Sequence, residues 1–220
     1  MMRMTMQPTI QIGKIKTSKI ELRDIAKAWI VLSLAFACIY AGANIIDGTI
    51  SRIFSTQFIF LFLISLFTAG LGFLLHELAH KLVAQRYGCV AEFRAFDQLL
   101  FLALGMAVFI GILFAAPGAV MVSGMITRRE NGIVSVAGPA TNYVLGLLFL
   151  GLTFLIPAFE SIFLIGFSIN MWLGLFNLIP FGPLDGLKVF YWNKAVWGGM
   201  VIVGIFFVYF YGKFISNLGF

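Results

Sequence analysis

Long apolar runs separated by short polar stretches dominate the chain. Six runs carry no charged side chain, and each is close to or above the roughly 20 residues that a helix needs to cross a bilayer. They cover residues 28–46, 58–75, 99–122, 132–159, 161–184 and 195–212. This pattern predicts an all-α polytopic membrane protein, in which the apolar runs form helices that pack against one another.

Composition supports the same fold class. Of the 220 residues, 61% are hydrophobic and only 11% are charged, whereas soluble domains average about 25% charged residues. A water-soluble fold of this length could not bury so much apolar surface. We therefore expect one membrane-embedded domain over residues 28–220, with its core at 58–188, preceded by a polar cytoplasmic segment at 1–27.

Charge indicates how the chain lies in the membrane. The net charge is +6, but the basic residues lie between apolar runs and do not form a patch with aromatics, so we expect no nucleic-acid partner. Six Lys and Arg residues precede the first run, and basic segments favour the cytoplasmic side. Within this segment Ile10, Ile12 and Ile15 alternate with polar residues, which predicts a short strand or hairpin.

The run at 99–122 has two interpretations. If it crosses the membrane, the basic residues that follow it fall outside the cell; if it enters and leaves by one face, they stay inside. Those residues are Arg128, Arg129, Lys188 and Lys194. A helix at 99–115, a turn at Pro117-Gly118 and an extended return at 119–127 would make such a re-entrant hairpin. The charges favour about five spans plus this hairpin, with a sixth span as the alternative, and Glu92, Arg94 and Asp97 in a cytoplasmic loop.

The sequence His76-Glu77-Leu78-Ala79-His80 carries the chemistry. Residues four apart share a helix face, so both imidazoles can reach one Zn²⁺ ion. Glu77 lies beside that metal and can act as the general base that takes a proton from water. The chain contains two histidines, and both are here. A pair of packed histidines beside a glutamate is the structural alternative.

A third zinc ligand has to be something other than histidine. Asp185 is the candidate, because it follows the fifth apolar run in a segment whose prolines and glycines interrupt the helix. With the re-entrant hairpin, His76 and Asp185 reach the same cytoplasmic depth; with six full spans they lie near opposite faces. An ordinary acidic residue at a helix end is the alternative reading of Asp185.

Asn142 lies inside the fourth apolar run, where a buried amide needs a hydrogen-bond partner. It is a candidate catalytic residue, as a donor to the substrate carbonyl or to the oxyanion. An ordinary helix–helix hydrogen bond is the alternative. Asn170 and Asn177 carry the same ambiguity.

Three motifs together resemble the site-2 protease family of intramembrane zinc metalloproteases. They are HELAH at residues 76–80, AGPATN at 137–142 and NLIPFGPLDG at 177–186. The resemblance implies one zinc ion held by His76, His80 and Asp185, with Asn142 assisting substrate binding or the transition state. It also implies hydrolysis of peptide bonds in or near transmembrane segments, and a strand within the membrane before the AGP helix.

Two other functions remain open at this stage. Intramembrane His, Asp and Asn residues also serve metal transporters, and a relative that has lost catalysis could act as a membrane scaffold. For the protease we expect the lipid bilayer and a transmembrane protein substrate as partners. We also expect the cell membrane as its location and an active site towards the cytoplasm.

Overall fold

The computed structural model describes residues 10–12, 15–113 and 118–217, with side chains as far as residue 209. Helices make up most of this part of the chain, together with two small sheets. In chain order the elements are β1 (Ile10–Ile12), β2 (Ile15–Thr17), α1 (Lys19–Ala41), α2 (Thr56–Ser65), α3 (Leu71–Arg86), β3 (Val90–Ala95), α4 (Asp97–Ile110), β4 (Gly118–Ser123), α5 (Arg128–Leu155), α6 (Glu160–Asn177), α7 (Asp185–Trp192) and α8 (Lys194–Asn217). A π-helical turn at Leu66–Gly70 joins α2 to α3.

Four helices in the described residues are long and apolar enough to cross a membrane. They are Lys19–Ala41, Thr56–Arg86, Arg128–Leu155 and Pro157–Asn177. Each overlaps a predicted apolar run, so the helical fold is confirmed and four of the predicted spans have a matching candidate helix. The described apolar part of α8, Lys194–Tyr209, is shorter than these four helices, so the fifth span stays a prediction.

At the centre of the bundle α5 packs against α3, α6 and α7, while α8 packs against α6 and α7 and also contacts α5 at Tyr143. Buried Tyr143, Phe167, Met171 and Leu178 make its main apolar cluster. Small residues let these helices approach closely, as is common in membrane bundles. A Cβ atom at Gly146, for example, would lie 2.8 Å from the side chain of Met171.

The third apolar run forms a hairpin. After α4 the chain returns as β4, which pairs antiparallel with β3, the strand directly before α4. Ala95 at the end of β3 lies opposite Gly118 at the start of β4, so β4 begins beside the place where β3 ends. A helix followed by an extended return was predicted here, although the strand is shorter than expected. Pro117 lies outside the described residues.

The segment predicted to be a cytoplasmic loop is ordered structure instead. Glu92 and Arg94 belong to β3, and Asp97 begins α4. The physical reason is an alternation that the loop interpretation overlooked: Ala91 and Phe93 are buried while Val90 is exposed, as expected of a half-buried strand.

The N-terminal segment contains the predicted hairpin, since β1 pairs antiparallel with β2. It is not separate from the first helix, because α1 begins at Lys19, well before the first apolar run. Ser18 caps this helix by accepting a hydrogen bond from the Glu21 amide at 3.2 Å, which satisfies an N–H group that would otherwise lack a partner.

A pair of cysteines can test the register of β3 and β4. Ala91 and Val122 lie directly opposite, and backbone groups of Ala91, Phe93 and Ala95 bond away from β4. In an antiparallel pair, opposite residues whose backbone groups point away from each other have Cβ atoms close enough for a disulfide. With Cys38 and Cys89 replaced by alanine, we expect Ala91→Cys/Val122→Cys to form a disulfide on mild oxidation, measured as loss of maleimide labelling.

Ala91→Cys/Met121→Cys is the matched control, because Met121 lies on the opposite face of the sheet. Equal labelling of both pairs after oxidation would contradict the register.

Candidate metal centre

The two histidines of HELAH lie on one face of α3. Spaced four residues apart, His76 and His80 occupy successive turns and point the same way. Both are buried, and their ring nitrogens contact α5, at Asn142 and at Val134. The histidines therefore face the middle of the bundle.

Asp185 reaches the same place from a distant part of the chain. The expected break in the helix is present, since α6 ends at Asn177 and Asp185 is the first residue of α7. Gly182 in this connection has φ +60°, a conformation that glycine adopts without strain. A Cβ at Gly186 would lie 2.1 Å from the Leu178 carbonyl oxygen, so glycine is what lets α7 fold back against the end of α6.

Three atoms converge at the centre. His76 Nε2 lies 3.0 Å from His80 Nε2, and Asp185 Oδ2 lies 3.2 Å from the first and 2.9 Å from the second. The other carboxylate oxygen, Oδ1, faces Lys188 Nζ at 3.8 Å. The structure thus brings together the three residues that were predicted as metal ligands.

Residues of α5 form hydrogen bonds with the Nδ1 atom of each imidazole, on the side of the ring that faces away from the centre. His76 Nδ1 lies 2.6 Å from Asn142 Oδ1, and His80 Nδ1 lies 2.7 Å from the Val134 carbonyl oxygen. Both partners are acceptors, so each Nδ1 carries the hydrogen and donates it. Each Nε2 consequently presents a lone pair to the centre, the arrangement usual for metal-binding histidines.

This donor set fits zinc. Two lone-pair nitrogens and a carboxylate oxygen facing one point repel each other unless a cation compensates them. A tetrahedral zinc ion with ligands at about 2.0–2.1 Å holds its donor atoms about 3.3 Å apart. The observed separations of 2.9–3.2 Å are close to that value. Among the described residues, His76, His80 and Asp185 form a group that could hold a metal ion.

The charge state of Asp185 suits metal binding. Burial on its own raises the pKa of a carboxyl group, but the interactions with His80 and His76 together outweigh burial and hold the pKa of Asp185 below its usual range. The carboxylate is therefore ionised, which is the form that binds a metal.

Glu77 lines an apolar cavity of about 410 Å³ that ends at the metal centre. His76, Asn142 and Gly118 line the same cavity. Its walls come largely from two helices: Leu32, Phe36, Ile39 and Tyr40 of α1, and Ile169, Trp172, Leu173 and Phe176 of α6. Glu77 also faces the backbone of Val120 in β4. The predicted base therefore lies beside the metal site, a strand and an apolar cavity.

Asn142 connects three helices. Its Oδ1 accepts from His76, and its Nδ2 donates to the Gly72 carbonyl at 3.1 Å and to Asn170 Oδ1 at 3.0 Å. The helix–helix hydrogen bond that sequence left open is thus present, and it also orients a histidine. Direct action of Asn142 on a substrate stays a prediction. Asn177 bonds within its own helix, to the Leu173 carbonyl at 2.9 Å.

Two features of the site were not identified from sequence. The Val134 carbonyl that orients His80 is a backbone group, and backbone groups occur at every position, so no residue type signals it. Gly138 lies in the AGP motif, which could have drawn attention to it. A Cβ there would lie 2.3 Å from His80 Nε2 and 2.5 Å from His76 Nε2, so only glycine leaves room for both rings.

Comparison with known proteins identifies relatives. The chain is 38% identical to "Putative zinc metalloprotease MJ0611" of Methanocaldococcus jannaschii, over 75% of this chain and 93% of that protein. It is 26% identical to "Zinc metalloprotease MJ0392" of the same organism, over 84% of this chain and 45% of the relative. It is 36% identical to "Putative zinc metalloprotease Rip2" of Mycolicibacterium smegmatis, over 51% of this chain and 50% of that protein. No family model and no solved structure matches the chain.

Replacing Gly138 tests the geometry of the centre. In Gly138→Ala the new methyl group would displace both imidazoles, so we expect zinc affinity to fall roughly tenfold or more. Zinc content of the detergent-purified protein, measured by plasma mass spectrometry after dialysis against a weak chelator, checks this.

Gly151→Ala is the matched control on the same helix, since no atom lies within 4 Å of its Cβ position. Alanine also favours helix more than glycine, so neither variant should weaken α5. Full zinc retention in Gly138→Ala would show that the rings do not bind metal in this arrangement.

Proposed function

The chain belongs to the zinc metalloprotease family that includes MJ0611, and from that membership we propose that it is a membrane-embedded zinc endopeptidase of the site-2 protease type. The observation that carries the proposal is the convergence of His76, His80 and Asp185 beside Glu77, at the end of an apolar cavity. The apolar helices and the membership together indicate a membrane protein. Its proposed substrates are peptide bonds in or near transmembrane segments of other proteins.

His76, His80 and Asp185 would hold the zinc ion. When bound, zinc supplies Lewis acidity, which polarises a carbonyl group and lowers the pKa of a water molecule. Glu77 would take the proton from the attacking water on a carboxylate oxygen and then deliver it to the leaving amine. Asn142 and Val134 would keep the imidazoles oriented throughout, since both hold Nδ1 atoms away from the reacting side.

The cavity supports an apolar substrate. Its walls are aliphatic and aromatic side chains of α1 and α6, which suit a transmembrane segment better than a polar peptide. A helical substrate shields its own carbonyl groups, so the bond to be cut must first become extended. β4 borders the cavity at Gly118 and would hold such an extended segment by strand addition.

We propose a cytoplasmic orientation for the site. Thr17 and Lys81 meet at Glu21, directly after the histidine motif, and the basic N-terminal segment favours the cytoplasmic side. The bilayer and a transmembrane protein substrate are the proposed partners. The cell membrane is the proposed location.

Glu77→Gln tests the chemistry. It keeps the size of the side chain but removes the base, so we expect cleavage of a transmembrane reporter in proteoliposomes to fall by about 10²-fold or more. Zinc content should stay at the wild-type level, because Glu77 is outside the ligand set. Wild-type cleavage rates in Glu77→Gln would exclude the proposed mechanism.

Asp185→Ala tests the third ligand. Loss of the carboxylate removes one of the three donor atoms and the only negatively charged ligand. We therefore expect zinc content to drop well below one ion per chain and cleavage to disappear. Glu160→Gln, an exposed acidic position at the start of α6, serves as the control for a change of charge. Unchanged zinc binding in Asp185→Ala would remove Asp185 from the site.

A further inference from the structure

A buried ion pair lies next to the metal centre but outside it. Lys81 directly follows His80 on α3, and its Nζ donates to Glu21 Oε2 at 2.6 Å. Glu21 is 0% exposed and Lys81 is 1% exposed. Taking two charges out of water is costly, and their mutual attraction often does no more than offset that cost. Stability alone is therefore a poor account of this pair.

The carboxylate of Glu21 connects four parts of the chain. Besides Lys81, its Oε2 accepts from Thr17 Oγ1 at 2.7 Å, and its Oε1 accepts from the Phe93 amide at 2.9 Å. Glu21 itself lies in the first turn of α1. The N-terminal hairpin, α1, α3 and β3 thus meet at one buried side chain.

These contacts cover one edge of β3. Alternate residues of a strand direct their backbone groups to the same side, and three alternate residues of β3 bond away from β4. The Phe93 amide donates to Glu21, the Ala95 amide donates to Asp24 at 3.2 Å, and the Ala91 carbonyl accepts from Gln85 at 3.2 Å. With that edge covered, the outer edge of β4, where Glu77 faces the backbone of Val120, is the one left for an added strand.

The position of β4 depends on that of β3. Val120 lies directly opposite Phe93 in the antiparallel pair, and Glu77 faces the backbone of Val120. A shift of β3 away from Glu21 would therefore move β4 relative to the proposed base.

We propose that Glu21 is a positioning residue, whose carboxylate holds the β3–β4 sheet at a defined place beside Glu77. A peptide paired with β4 would then present its scissile bond to the metal centre, while Lys81 keeps the carboxylate in place. This inference rests on the proposed proteolytic function. The carboxylate contacts Thr17, Lys81 and Phe93, so its role is separate from metal binding.

Two charge-free double variants isolate the contact. Glu21→Gln/Lys81→Met keeps an oxygen that can accept from the Phe93 amide, whereas Glu21→Leu/Lys81→Met removes it. Neither leaves an unpaired buried charge, so both should fold. The measurements are zinc content, hydrogen exchange of residues 90–95 and 118–123, and kcat and KM for the transmembrane reporter.

For Glu21→Gln/Lys81→Met we expect a kcat within about threefold of wild type, and we expect the amides of β3 and β4 to stay protected from hydrogen exchange. For the Leu/Met pair we expect a kcat lower by about tenfold or more, because small misplacements of a substrate cost large factors in rate. Its strands should exchange faster, with full zinc content. Tyr143→Phe, which loses a hydrogen bond to the Met200 carbonyl far from the sheet, controls for general destabilisation and should keep its kcat.

Equal kcat and equal exchange in the two pairs would overturn the inference, as would loss of zinc in the Leu/Met pair. If wild type fails to cleave the reporter, the proposed function fails, and the exchange measurement still decides whether Glu21 holds the sheet. Unchanged protection of β3 and β4 in the Leu/Met pair would then show that it does not.

Discussion

Two imidazole nitrogens and a carboxylate oxygen within 3.2 Å of one another form a cluster that cannot stand alone inside an apolar bundle. Their lone pairs repel, and all three side chains are buried. A cation at the centre resolves the repulsion, which is why the cluster fits zinc. The cluster also requires that each imidazole carry its hydrogen on the outer nitrogen, so the acceptors on α5 are as necessary as the ligands.

Buried polar groups elsewhere in the bundle follow the same rule. In an apolar environment each donor and acceptor has to be satisfied by another part of the protein. Asn142 and Asn170 join α3, α5 and α6 in this way, and Glu21 joins α1, α3 and β3. Both networks end next to HELAH, one beside His76 and the other beside His80. They orient the metal ligands and the sheet from opposite sides.

The cavity and the sheet give the proposed chemistry a substrate path. α1 and α6 supply apolar walls, and β4 supplies a strand whose outer edge lies beside Glu77. β4 lies beside the site because it begins opposite Ala95, the residue at which β3 ends. A full span there would have carried β4 to the other end of the bundle and separated it from the site.

Sequence alone determined the features that depend on local pattern. Charge-free runs predict helices, the spacing of His76 and His80 places them on one face, and the glycines and prolines before Asp185 predict the break that frees it. The tertiary structure decided the contacts that have no local signature. The Val134 carbonyl and the Phe93 amide are backbone groups that almost every residue has. Asn142 and Asp185, which contact His76, and Lys81 and Phe93, which contact Glu21, lie 60 or more residues away from them in the chain. Such contacts arise only when the helices pack, because packing brings distant donors and acceptors to the same buried place.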